Sequence, residues 1–276
     1  MFSSKLLGVA TIGYLICSAM YVSYLFFRNE KFGKVITLIL GLSFGCQIVG
    51  WGLRWSESYK LGYGHIPLTN FYESLISVSW TTVLIYMIIE YRFKIKTLGA
   101  IVLPIVSLAM ACASLSPNIN DKIEPLIPSL QSNWLTYHVI TCFLSYSAFA
   151  VSFGASIVYL IKNKKGETKA DLFPSQVILD EMIYKTIAIG FLFLSVGIIT
   201  GAIWADITWG NYWSWDPKET WSLITWFIYS AFLHARFTMG WKGPRTAILS
   251  IIGFAAVLFT FLGVSFLLPG LHSYAG

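Results

Sequence analysis

The sequence predicts an all-α, polytopic integral membrane protein of about eight transmembrane helices, and three observations lead there. Of its 276 residues 56% are hydrophobic and only 12% are charged, too few charges to cover the surface of a soluble domain of this length. Apolar segments near the ~20 residues that span a bilayer recur along the whole chain. The basic residues gather in alternate connections instead of spreading evenly, as the charge bias of membrane loops requires.

The spans lie near 6–27, 34–53, 70–90, 97–115, 134–161, 183–205, 219–240 and 245–269. The first begins almost at Met1, but it is long, carries only Lys5 on its flank and shows no small-residue cleavage site, so it reads as a retained span and not a signal peptide. Before the third, Gly62-Tyr-Gly64-His65-Ile-Pro67-Leu-Thr-Asn70 turns into Phe71-Tyr72-Glu73-Ser74; glycines permit unusual backbone angles there and the proline fixes one. Glu73 has two readings, an ionisable functional group near the end of a span or an acceptor for loop backbone, and the second is the expected role.

The connection 116–133 carries Pro117, Pro125 and Pro128 and little beyond loop signals. After the fifth span, Lys162-Asn-Lys-Lys-Gly-Glu167 is a polar turn, and from Phe173 a short amphipathic stretch is expected to lie at the interface as a lead-in to the sixth. Four cysteines, Cys17, Cys46, Cys112 and Cys142, fall in or beside spans without a C-x-x-C pair, which points to structural burial over redox chemistry.

Fourteen of the nineteen Lys and Arg residues sit in the connections after spans one, three, five and seven or at their edges; Lys5, Arg54, Lys60, Lys122 and Lys218 are the others. The positive-inside rule then puts both termini outside, together with the connection 206–218. The net charge of +6 therefore reports orientation in the lipid bilayer, and no nucleic-acid partner is expected. The chain reads as one transmembrane domain, 1–276, with an outer tryptophan-rich loop at 204–221.

That loop, Trp209-Gly-Asn-Tyr212-Trp213-Ser-Trp215-Asp216-Pro217-Lys218-Glu219-Thr-Trp221, concentrates four indoles and a phenol in one place. An aromatic belt at the membrane face explains scattered rings at many helix ends; a single dense loop suits the flat face of a haem- or quinone-sized ligand. Asp216 can cap the seventh helix, Pro217 suits its first position and Glu219 completes a capping box. Both carboxylates are thus expected to shape the loop before they are asked to move protons.

The chain has four histidines. His138, His272 and His65 all fall at the predicted outer level. His234 lies about 22 Å deeper along the seventh helix at 1.5 Å per residue, on a face with Ser230, Phe227, Trp226 and Leu223. An intramembrane histidine by itself is a buried hydrogen-bonding residue or a ligand. Neutral imidazole is a common axial ligand of haem iron, and two separated levels of histidine beside an aromatic platform suggest that haem is moved as well as held.

These residues resemble a known family. Trp209–Trp221, Gly64-His-Ile-Pro-Leu-Thr-Asn-Phe-Tyr-Glu-Ser74, Leu179-Asp-Glu-Met-Ile-Tyr-Lys-Thr-Ile-Ala-Ile-Gly190, Leu233-His-Ala-Arg236 and Gly270-Leu-His-Ser-Tyr274 are similar to the CcsA (ResC-like) family of System II cytochrome c maturation, which bears a tryptophan-rich WWD signature. The resemblance implies that His138 and His272 are axial ligands of an externally presented haem b. It implies that His234 is the membrane-embedded haem ligand. Trp209, Tyr212, Trp213, Trp215 and Asp216 would form the haem-contacting loop, and His65 matches no ligand position.

It implies a function as well: with a CcsB/ResB-like membrane subunit, haem b from the inner side is presented outside and joined through thioethers to C-x-x-C-H apocytochrome c. No residue of the chain is expected to act as nucleophile or acid/base. A bacterial plasma membrane is the implied location, or a thylakoid in a plastid or cyanobacterium. The competing reading, a haem b subunit passing electrons to quinone in a respiratory complex, calls for paired histidines on facing helices. A transporter without haem calls for broken helices or charged pairs in mid-membrane; neither pattern is evident in the sequence.

Overall fold

A computed structural model describes residues 2–27, 29–117, 119–165 and 174–270. Within them the chain is helical and contains no β-strand, as the bilayer demands of a backbone whose polar groups find no water. In order come α1 (Phe2–Phe27), α2 (Glu30–Lys60), α3 (Phe71–Phe93), α4 (Gly99–Leu115), a 3₁₀ turn at Pro128–Leu130, α5 (Asn133–Lys165), α6 (Gln176–Trp209), α7 (Pro217–Thr238) and α8 (Pro244–Leu258). A π-helical turn, Phe259–Gly263, then runs into α9 (Val264–Leu267).

Every predicted span coincides with a helix. Six are long and apolar enough to cross a membrane: α1, α2, α3, α5, α6 and the continuous run Pro244–Leu267. Of the other two, α4 has only 17 residues, and α7 has the length but carries much of the chain's polar and aromatic chemistry. Two boundaries differ from expectation. Phe173 lies outside the described residues; with Ser175 as N-cap, its hydroxyl accepting the Ile178 N–H, α6 starts at Gln176, earlier than the predicted span, and runs without a break. Trp209, read as a loop residue, is the last residue of α6.

The chain packs as two compact units, residues 1–131 and 132–276. In the first, α1 packs on α2 and α4, and α3 on α4. Several buried polar groups inside it are paired, as burial favours, although the hydroxyls of Ser79 and Thr97 are not. The Tyr14 hydroxyl donates to Gln47 at 2.5 Å, and the Gln47 amide donates to the Ile76 carbonyl at 3.0 Å. Toward one end of α3, Glu90 accepts from Tyr21 (2.5 Å), Tyr86 (2.7 Å), Thr37 (2.5 Å) and Lys96 (2.6 Å).

At the other end of α3, Arg54 corrects its placement in a predicted loop. It lies within α2, 1% exposed, with its Nε donating to Glu73 at 2.8 Å. The rest of its guanidinium grips the carbonyls of Asp121 (2.7 Å) and Lys122 (3.3 Å). Glu73 also accepts the Thr69 N–H at 2.9 Å, so its expected role toward loop backbone is met, with a cationic partner that the sequence reading did not assign. The connection 116–133 is thereby tied down through its carbonyls.

In the second unit α5 packs along α6 and α8, and α7 packs on α6 and α8. One end is clamped by Asp180, which receives Arg236 at 2.7 Å and the Gly243 N–H at 2.9 Å. At the opposite end α5 begins, α6 ends, α7 begins and α9 finishes.

Candidate functional site

The site grows from the approach of α5 to α6. Gly197, Gly201 and Trp204 stand at i, i+4 and i+7, one face of α6, and His138 of α5 lies on them. Its Nδ1 is 2.8 Å from the Gly197 carbonyl oxygen. A carbonyl only accepts, so Nδ1 carries a proton, and in the neutral imidazole the lone pair is then at Nε2. A Cβ on Gly201 would fall 2.6 Å from Nδ1, closer than real contacts allow. Trp204 stacks on the ring with centroids 6.0 Å apart and planes 19° from parallel. Cys142, one turn further along α5, adds its sulfur 3.7 Å from Nδ1.

From Trp204 the aromatic surface continues to Trp209, at 4.9 Å and 63°. Beyond the α6 terminus comes the short loop 210–216, built around Glu219. Its carboxylate accepts the N–H groups of Ser214 (2.8 Å) and Asp216 (3.2 Å), the two residues that flank Trp215. Asp216 caps the helix in return, accepting from Lys218 N–H at 2.9 Å, so the expected capping box is present. Held on both sides, Trp215 adopts φ 59°, a left-handed conformation that costs a side-chain-bearing residue roughly 1–2 kcal/mol.

That backbone turns the Trp215 ring outward. Trp215 is 69% and Tyr212 60% exposed, while Trp213 is half-buried and meets Trp215 edge-on at 5.7 Å. An indole pair with one ring exposed beside a fixed turn can bind a flat apolar face and cannot itself do acid–base work. The carboxylates of Asp216 and Glu219 are engaged in the cap, as expected from the sequence.

The C-terminal end of the described chain arrives at the same place. The π turn packs Phe259 on Trp221 at 4.2 Å, and Thr260 bridges to Thr225 at 3.1 Å. Lys218 donates to Ser265 at 3.0 Å. Gly270 then lies so near the cap that a Cβ on it would be 2.5 Å from Asp216 Oδ2. His272 lies outside the described residues, two positions beyond this contact.

His234 is not brought to this end. It sits 18 residues beyond Asp216 on α7, about 27 Å at the helical rise, and it is exposed. On its face Trp226 is fixed by a hydrogen bond to Ser195 at 2.9 Å and by Phe191 at 5.1 Å, whereas Phe227 is 58% exposed. His65 belongs to the other unit, 7% exposed, with Nδ1 at 3.1 Å from the Ile66 carbonyl and Nε2 at 3.0 Å from that of Glu124. Both nitrogens are occupied, in keeping with a loop role.

Gly197 and Gly201 escaped the sequence reading, and Trp204, the first residue of the predicted outer loop 204–221, was given no role there and lies within α6. The Gly197-Ile-Ile-Thr-Gly201 spacing is a legible signal for close helix approach in a membrane. Of the cysteines, Cys17 and Cys142 are buried as expected, Cys46 is half-buried and Cys112 is exposed.

Residues 68–272 match the family described as cytochrome C assembly protein, a stretch that takes in α3 through the Trp loop and ends at His272. The chain belongs to the cytochrome c assembly protein family. Within that family it is 43% identical over 249 residues to the cytochrome c biogenesis protein CcsA of Heterosigma akashiwo (strain NIES-293 / 8280G21-1), covering 77% of each chain. It is 43% identical over 253 residues to CcsA of Chlamydomonas reinhardtii, covering 89% of this chain and 70% of that one. CcsA of Porphyra purpurea is 35% identical over 319 residues, covering 99% and 98%.

Among solved structures, a cytochrome c heme lyase CcmF is similar with a TM-score of 0.73 at 17% identity, over 94% of this chain. The chain spans 46% of that protein's length, and the likeness is one of fold. This chain is a multi-pass helical member of the assembly family, with a role in cytochrome c maturation.

Proposed function

We propose that this assembly protein acts on haem b as its substrate: it takes haem from the inner side of the membrane, holds it at the outer face and, with a CcsB/ResB-like subunit, presents it to C-x-x-C-H apocytochrome c for thioether attachment. The observation that carries this reading is His138, whose Nδ1 is committed to the Gly197 carbonyl, so that Nε2 is the nitrogen through which the neutral ring would bind iron. A histidine with its second nitrogen on a backbone carbonyl is the usual state of a metal-ligating imidazole.

His272, two positions after Gly270 in the chain, is the proposed opposite ligand. Trp209, Tyr212, Trp213 and Trp215 supply the aromatic wall, and Asp216 orients the turn. His234, exposed on α7, is proposed to receive haem at the inner level with a second ligand from the partner subunit. The whole chain, 1–276, serves as one haem-handling domain with eight spans and both termini outside. Plastid and algal sources of the relatives favour a thylakoid membrane over a bacterial plasma membrane.

In the attachment step each cysteine thiol adds across a vinyl double bond. A C–S bond and a C–H bond form, the S–H bond and the π bond break, and nothing leaves. The chain's part in this synthase activity is positioning: fixing the iron ligands and the ring plane sets the vinyl edges where thiols can reach, an effect of proximity. The test is the absorption spectrum and cytochrome c yield of His138→Ala and His272→Ala proteins purified with the partner. Loss of outer haem in both, partly restored by added imidazole, is expected; normal haem and yield would refute the assignment.

A further inference from the structure

We propose that Gly197, Gly201 and Trp204 form a positioning cradle on α6 that aims His138 Nε2 and sets how strongly it binds haem iron. This rests on the reading of His138 as an axial ligand. The three residues meet one imidazole from three directions. The Gly197 carbonyl takes the Nδ1 proton at 2.8 Å, the bare α-carbon of Gly201 lets the ring lie where a Cβ would be 2.6 Å from Nδ1 and 2.7 Å from Cε1, and Trp204 covers a ring face at 6.0 Å.

The consequence is electronic as well as geometric. An imidazole that donates from Nδ1 to a carbonyl is a better electron donor at Nε2, which strengthens the bond to iron and favours the ferric state. Gly197 accepts while already inside a helix, and its carbonyl also receives the Thr200 hydroxyl at 3.1 Å, so its position is set by α6 and not by the ligand. Cys142, with its sulfur 3.7 Å from Nδ1, is the neighbour to which the proton would turn if the ring were pushed off Gly201. The cradle thus selects one hydrogen bond over another and holds the ring in one rotamer.

Gly201→Ala in the full chain, purified with its haem, tests this. The added methyl must displace the ring, so the expected result is an outer haem retained about tenfold less tightly or worse, a midpoint potential shifted upward, and a low-spin spectrum regained on adding imidazole. Gly45→Ala, whose Cβ meets nothing within 4 Å, controls for glycine replacement itself. Because Gly201→Ala can also disturb α5–α6 packing, it is repeated in a His138→Ala background.

If the cradle acts through the imidazole, the second substitution adds no further fall in protein level there. An equal fall in protein level with and without His138 would overturn the cradle and leave His138 as a ligand. An unchanged spectrum and potential in Gly201→Ala alone would do the same. A normal spectrum in His138→Ala would instead remove the ligand reading on which the cradle depends, and the cradle with it.

Discussion

The carboxylate of Glu219 accepts the backbone N–H of Ser214 at 2.8 Å, reaching from the first turn of α7 across the back of Trp215. With its second bond to Asp216 N–H, this one side chain closes the tryptophan turn. Glu219→Ala is expected to release the turn at a cost of about 1–2 kcal/mol, relaxing Trp215 from its left-handed backbone. Limited proteolysis between residues 210 and 216 should become faster while α7 remains, and Glu219→Gln should be milder because its amide oxygen still accepts. Equal resistance in all three proteins would show that the turn is held by something else.

Gly270→Ala follows from a different contact. The methyl would meet Asp216 Oδ2 at 2.5 Å and Pro217 Cδ at 3.1 Å, so residue 270 must move away from the cap. Cytochrome c yield should fall several-fold at unchanged protein level, as judged by haem staining beside an immunoblot. A yield matching the wild type would separate the C-terminal histidine from the Trp turn.

Arg54 and Glu73 form a pair in which both side chains are 1% exposed. Removing one partner leaves a buried charge, and Arg54→Met is expected to cost about 3–5 kcal/mol. Arg54→Met combined with Glu73→Leu should recover much of the loss in thermal stability measured in detergent, although the carbonyls of Asp121 and Lys122 lose their donor. A double variant less stable than either single one would mean that the grip on those carbonyls outweighs the ion pair.

Trp215, exposed and turned outward, distinguishes a ligand platform from a membrane belt. Trp215→Ala and Trp213→Ala should cut cytochrome c yield per molecule of protein, with the Phe variants milder, since a stacked ring contributes on the order of 1 kcal/mol beyond its area. Loss in strict proportion to protein abundance would favour the belt.

His234→Ala should lower the haem content of the purified complex, whereas the Trp213 and Trp215 variants keep haem at the inner level. Comparing pyridine haemochrome content between these proteins decides it. Full haem in His234→Ala would end the entry-site reading.

Much of this molecule was decided by the chain's local chemistry. Helices were legible because a bilayer leaves the backbone no alternative and because apolar run length reports a span directly. The cap at Asp216-Pro217-Lys218-Glu219 was legible because its hydrogen bonds join residues three apart. The carboxylate of Glu73 was assigned to loop backbone for the same reason: Thr69 and Asn70 are its neighbours in sequence.

Only the tertiary structure could place partners distant along the chain. Arg54 meets the carbonyls of Asp121 and Lys122, Asp180 meets Arg236 and Gly243, and His138 meets Gly197, Gly201 and Trp204 across a helix interface. No local rule states which face of α5 turns toward α6. That choice follows from how closely two backbones can approach, which the absence of a side chain at Gly197 and Gly201 permits and the whole length of the packed pair enforces. The sequence separated His234 from the other histidines by depth alone; packing makes His65 a loop strut, turns His138 Nδ1 toward a carbonyl, and leaves His234 exposed on α7.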